Sequence, residues 1–141
     1  MRPKDAFDIC HEVYVHARQV LDEKLTTVNT EFVADGLWRP DTKPKLSEYV
    51  ADFALAGERA LGGTTRRGAR GAEKLLASRL ILFRVYYLGG APYEKARRHL
   101  GISELTWSQW TEEIRERVGR ELLRAGLYPP GKYFKERTGG R

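Results

Sequence analysis

Arg66, Arg67 and Arg70 fall within five residues of one another in GGTTRRGARG, residues 62–71, where four glycines loosen the backbone. A guanidinium presents a planar fork of N–H donors that matches phosphate oxygens. A glycine-rich arm carrying three of them can lie along a phosphate backbone or enter a minor groove. The same stretch also fits a solvated loop between helices. Elsewhere, Asp8, Glu12 and His16 recur every four residues with His11 beside them, the donor types of a metal site. Neither HExxH nor a second donor segment accompanies them, so a polar helix face is expected and no metal. His99 reads as a surface or phosphate-facing group rather than a base. The chain contains no GxSxG, Walker A or dinucleotide fingerprint, and GGAP at 89–92 reads as a helix boundary. Cys10, the single cysteine, has no partner for a disulfide or a CxxC site. The expectation is a protein that is not an enzyme and carries no cofactor.

Charge supports the polyanion reading. The 141 residues include 25 Lys and Arg against 19 Asp and Glu, a formal charge of +6. Residues 1–61 hold 8 basic and 11 acidic residues, net −3, while residues 62–141 hold 17 basic and 8 acidic, net +9. Basic side chains that neutralise phosphates release condensed counterions, so a basic half beside an acidic one points to a polyanion-binding surface in the second half. General solubility is the other reading of the same excess. With 41% apolar residues the chain can bury a core as one domain or two very small ones. Its longest apolar run, residues 80–88, is broken by Arg84, so no membrane-spanning helix is expected. The opening MRPKDAFD lacks the apolar region of a signal peptide, which predicts a cytoplasmic protein.

The elements that must position these groups are helical. Ala6, Ile9, Cys10, Val13, Tyr14, Ala17, Val20 and Leu21 recur at three and four, one face of an amphipathic helix to about Leu25. Residues 26–45, with Gly36, Pro40 and Pro44, read as an irregular connector. Ser47 is the expected cap of a second helix that buries Leu46, Tyr49, Val50, Phe53, Ala54, Ala60 and Leu61. Residues 72–88 are apolar around much of the circumference and are expected at the centre of the fold, ending at Gly89 and Gly90. No strand-like alternation or internal repeat appears. The prediction is an all-α helical bundle with a C-terminal helix-turn-helix: an N-terminal helical region (1–61), the basic linker (62–71), the helix-turn-helix module (72–126) and a basic aromatic tail (127–141).

Residues 93–110, YEKARRHLGISELTWSQW, have the layout of that motif: a short helix, a glycine turn, then a longer helix. Gly101 sits where the chain must turn with positive φ, and Ser103 is placed to cap the second helix. Ala96, Leu100, Ile102, Trp107 and Trp110 fall where the helices must share a core. The two tryptophans could instead stack on unpaired bases, but their positions favour burial.

Residues 80–123, LILFRVYYLGGAPYEKARRHLGISELTWSQWTEEIRERVGRELL, resemble region 4 of sigma-70-family factors, especially the short extracytoplasmic-function types. The likeness lies in an apolar helix ending in Gly, then Tyr93-Glu94, then Leu100-Gly101-Ile102-Ser103, and a long helix of mixed charge. It covers about a third of the chain. The family usually has a branched apolar residue and then alanine where this chain has Ala96 and Arg97. The resemblance implies that the second helix enters a DNA major groove and that the surrounding module contacts RNA polymerase. Base-reading candidates by position are then Ser103, Glu104, Leu105, Ser108, Gln109 and Glu112. Gln109 can pair with adenine and a glutamate can accept from cytosine N4. Phosphate candidates are Lys95, Arg97, Arg98 and Arg115, with Arg66, Arg67 and Arg70 from the linker and Arg117 and Arg120 farther along. Glu112 with Arg115, Glu113 with Arg117 and Glu116 with Arg120 stand three or four apart, so pairing along the helix competes for the distal arginines.

Residues 1–61 do not resemble the promoter-melting region of a sigma factor. The sequence therefore points to a stand-alone DNA-binding transcriptional regulator of the late-gene activator or antiterminator type, in a prokaryotic or phage-infected cell. Its partners would be double-stranded DNA and RNA polymerase, and the acidic N-terminal part is a candidate homodimer surface although it carries no long heptad pattern. The alternative is a protein-interaction module in which the acidic positions of the second motif helix face another protein; a nucleic-acid packaging component is a weaker third.

Overall fold

A computed structural model describes residues 1–23, 38–40, 43–62, 72–129 and 133–136. The elements run α1 (Pro3–Glu23), β1 (Trp38–Pro40), α2 (Lys43–Leu61), α3 (Ala72–Leu82), a π-helical continuation of α3 (Phe83–Leu88), α4 (Tyr93–Leu100), α5 (Glu104–Ala125) and β2 (Phe134–Glu136). The fold is all-α. Its strands are a three-residue antiparallel pair with Trp38 opposite Glu136 and Pro40 opposite Phe134, too short to leave an alternating pattern in the sequence.

The packing centres on α1 and α5 rather than on α3. α1 packs most extensively on α5 and also on α2, which itself meets α5. The buried stripe of α1, Ala6, Phe7, Cys10, Val13, Tyr14 and Ala17, faces both neighbours. The apolar face of α3 is less enclosed: Leu82 and Phe83 are fully buried, but Ile81 is 44% exposed. Close approach of α1 and α5 depends on a missing side chain, because a Cβ on Gly119 would stand 1.9 Å from the carbonyl oxygen of Pro3. One buried cluster joins Phe7, Val13, Tyr49, Phe53, Phe83, Ile114, Val118 and Leu122, and the tail adds Leu127 and Tyr133. Tyr133 lies edge-on to Tyr49 at 5.0 Å and donates to Asp52 at 2.7 Å. Thus residues from three of the four sequence segments share a core.

The start of α2 lies upstream of the expected cap. The helix begins at Lys43, leaving Ser47 exposed inside it. Pro44 suits a first helical turn, where its missing N–H has no partner to lose. Leu46, Tyr49, Phe53 and Leu61 are buried, whereas Val50, Ala54 and Ala60 are half-buried.

The end of α3 widens into a π-helical stretch, with Gly89 N–H donating to the Arg84 carbonyl at 2.8 Å. Gly90, at φ 76°, supplies the left-handed residue. Side chains of α1 take up carbonyls released there: His11 Nε2 bonds the Tyr87 carbonyl at 2.9 Å, and Tyr14 donates to the Leu88 carbonyl at 3.0 Å. Arg18 donates to the Tyr14 hydroxyl at 2.8 Å. Helix-end carbonyls need such partners when water is excluded. α1 therefore fixes the point from which α4 and α5 depart.

Candidate nucleic-acid interface

Pro92, with φ −61° and ψ 147°, precedes α4, and Gly101 ends it in the left-handed conformation at φ 66°. Gly101 N–H donates to the carbonyls of Arg97 and Arg98 at 2.9 and 3.1 Å. Ser103 then caps α5, its Oγ accepting from Thr106 N–H at 3.1 Å. That capping satisfies one of the orphan donors of the first turn. The result is two helices joined by a short, hydrogen-bonded turn.

The inner side of this unit is aromatic. Trp107, buried, meets Tyr86 and Tyr93 edge-on at 4.9 and 5.0 Å. Trp110 is half-buried under the Arg79 guanidinium, 4.8 Å above its ring. Both tryptophans therefore pack within the protein. With Trp107 turned inward, Glu104, Leu105, Ser108, Gln109 and Glu112 form an exposed stripe over the first turns of α5, and Ser103 stands exposed at its head. Leu105 is 68% exposed. All six sequence-derived base-reading candidates lie together on this face.

The basic candidates divide. Lys95, Arg98 and His99 are exposed on α4. Arg97 is folded into the turn: it donates to the Ile102 carbonyl at 3.1 Å and to Glu94 at 3.3 Å, with its guanidinium 5.7 Å from the Tyr93 ring. Arg115 is held by Asp8 on α1 through bonds of 3.0 and 2.7 Å. Arg117 pairs with Glu113, and Arg120 with Glu116, as the helical spacing anticipates. Burial pushes the Glu113 carboxyl up, but bonds from Arg79 and Arg117 hold it below its usual range. Arg66, Arg67 and Arg70 lie outside the described residues.

A contact with no signal in the sequence stands at the far end of the stripe. Lys4, in the first turn of α1, makes an ion pair with Glu112, 108 residues away. Its hydrogen bond holds the Glu112 carboxyl below the usual range. Arg115 lies 3.9 Å from the same carboxylate. Only folding brings Lys4 to this face.

Among the described residues, no group of three or more His, Cys, Asp or Glu is placed to hold a metal ion. Cys10 is buried, and burial pushes its thiol up to about 11, which keeps it protonated and inert. Among the described residues, no helix is long and apolar enough to cross a membrane. The fold and this face define an all-helical protein that presents a mixed polar and acidic stripe on one long helix. No protein-family model, curated protein or solved structure matches the chain.

Proposed function

We propose that this chain is a non-catalytic, sequence-specific DNA-binding regulator of transcription that uses a sigma region 4-like helix-turn-helix and acts beside RNA polymerase in a prokaryotic or phage-infected cell. The exposed stripe Glu104, Leu105, Ser108, Gln109 and Glu112 at the start of α5 carries the reading. Its side chains include an amide suited to adenine, carboxylates suited to cytosine N4 and an apolar group suited to a thymine methyl. Lys95 and Arg98 on α4 are the phosphate contacts nearest its head, with Arg66, Arg67 and Arg70 as a basic arm. Arg97 and Arg115 act indirectly, the first bracing the turn and the second fastening α5 to α1.

A protein-facing stripe is the second reading, favoured by the exposure of Leu105 and by two carboxylates without an arginine on the face. Salt dependence separates the two. Fluorescence anisotropy with mixed-sequence duplex DNA should show affinity falling steeply with salt, and a Lys95→Ala/Arg98→Ala double variant should flatten the slope by roughly 1.8, about 0.9 for each lost phosphate contact. Absence of salt-dependent duplex binding by the unmodified chain would favour the protein-facing reading.

A further inference from the structure

We propose that the first turn of α1 is a second contact to the DNA backbone, in which the Lys4 ammonium bridges Glu112 and a phosphate. The inference rests on the DNA-reading assignment above and adds a part of the chain outside the helix-turn-helix to that site.

Three observations converge on it. Lys4 reaches the last residue of the exposed stripe and holds Glu112, and its own side chain remains 36% exposed. The backbone carrying it is fixed against α5, because Pro3 occupies the space a side chain at position 119 would need and Asp8 grips Arg115 one turn farther along α1. The stripe is also the right length. From Glu104 to Glu112 is eight residues, about 12 Å of helix at 1.5 Å per residue, and the major groove is about 12 Å wide. Arg98 stands beside the turn at the head of the stripe, so a helix seated in the groove has one cation at each end, where the two phosphate backbones run.

The chemistry of the pair fits this placement. A lone carboxylate at the groove edge would be repelled by phosphates, and Lys4 offsets that charge. An ammonium has three N–H donors, of which Glu112 engages one, leaving others for a phosphate oxygen. Asp5, near Lys4 in the same turn, is occupied by Arg2 at 2.9 Å.

A double-mutant cycle with duplex DNA separates phosphate contact from simple neutralisation of Glu112. Lys4→Met, Glu112→Gln and the pair are titrated with one mixed-sequence duplex between about 50 and about 200 mM salt. If Lys4 touches a phosphate, Lys4→Met weakens binding to every duplex even in the Glu112→Gln background, and the loss of affinity across that salt range shrinks by about threefold, the share of one phosphate. Lys4→Arg should retain the unmodified slope. An effect of Lys4→Met that disappears in the Glu112→Gln background would overturn the inference, since Lys4 would then act only on Glu112. No effect in either background would overturn it too. Both results leave the DNA-reading assignment standing; lack of salt-dependent binding by the unmodified chain removes that assignment and this inference together. Far-ultraviolet circular dichroism on each variant verifies that the helices are intact.

Discussion

Arg115 on α5 donates two hydrogen bonds to the Asp8 carboxylate on α1, at 3.0 and 2.7 Å. An arginine whose position suggests a phosphate contact thereby also ties the long helix to the N-terminal one. Paired, two-point geometry of this kind contributes at the upper end of what partly exposed ion pairs provide. A double-mutant cycle with Asp8→Asn and Arg115→Gln should give a coupling of about 1 kcal/mol in urea unfolding. Coupling near zero would mean that the pair does not fasten the helices.

Gly119 carries a sharper constraint. Its missing Cβ leaves room for the Pro3 backbone, which cannot swing aside as a long side chain could. Gly119→Ala should lower stability by about 1–3 kcal/mol despite the better helix propensity of alanine, the usual cost of overpacking. A variant as stable as the parent in urea would contradict this crossing of α1 and α5.

Arg97 predicts a local effect. Its bond to the Ile102 carbonyl closes the turn between α4 and α5. Arg97→Ala should cost about 1.5–3 kcal/mol, the range for a hydrogen bond involving a charged group, and Arg97→Lys should not restore it because an ammonium lacks the planar fork. Full recovery of the unfolding midpoint by the lysine variant would show that charge alone is what matters.

The half-buried imidazole of His11 gives stability a pH dependence. Burial lowers its pKa below the usual 6.5, outweighing its bond to Tyr87 and the nearby Asp8 and Glu12. A folded pKa below the unfolded one means that the unfolded chain binds more protons as pH drops past that value. The contribution is therefore complete above the unfolded pKa and is lost as pH falls toward the folded one. The urea midpoint should fall between about pH 7.5 and about pH 5.5, and His11→Gln should remove much of that fall. Equal pH dependence in parent and variant would exclude His11 as the cause. Below that window the salt-bridged carboxylates take over, because Glu58, held low by Arg84, and Glu121, held low by Arg124, must then be protonated.

Periodicity made much of this fold legible. The stripe Ala6, Cys10, Val13, Tyr14 and Ala17 is buried as its spacing implies, and Trp107 turns inward while Gln109 stays outside. Gly101 and Ser103 take the turn and cap that their chemistry suits. What escaped depends on tertiary neighbours. The π-helical end of α3 is stabilised by His11, Tyr14 and Arg18 from another helix, so its own residues carry no local mark. The early start of α2 had a readable cue in Pro44, which a connector and a first helical turn both accommodate. The two arginines of the phosphate set that also bond within the protein differ in the same way: Arg97 finds its partner five residues along, Arg115 only across the core.

Base reading by the exposed stripe of α5 can be tested by selection from a random duplex DNA pool at two salt concentrations. The expected result is a recovered sequence motif that persists at the higher salt and that Gln109→Ala blurs at one position, since losing a paired amide contact to adenine should cost about 1–3 kcal/mol of discrimination there. Recovery of no motif, or of one that Gln109→Ala leaves intact, would contradict it.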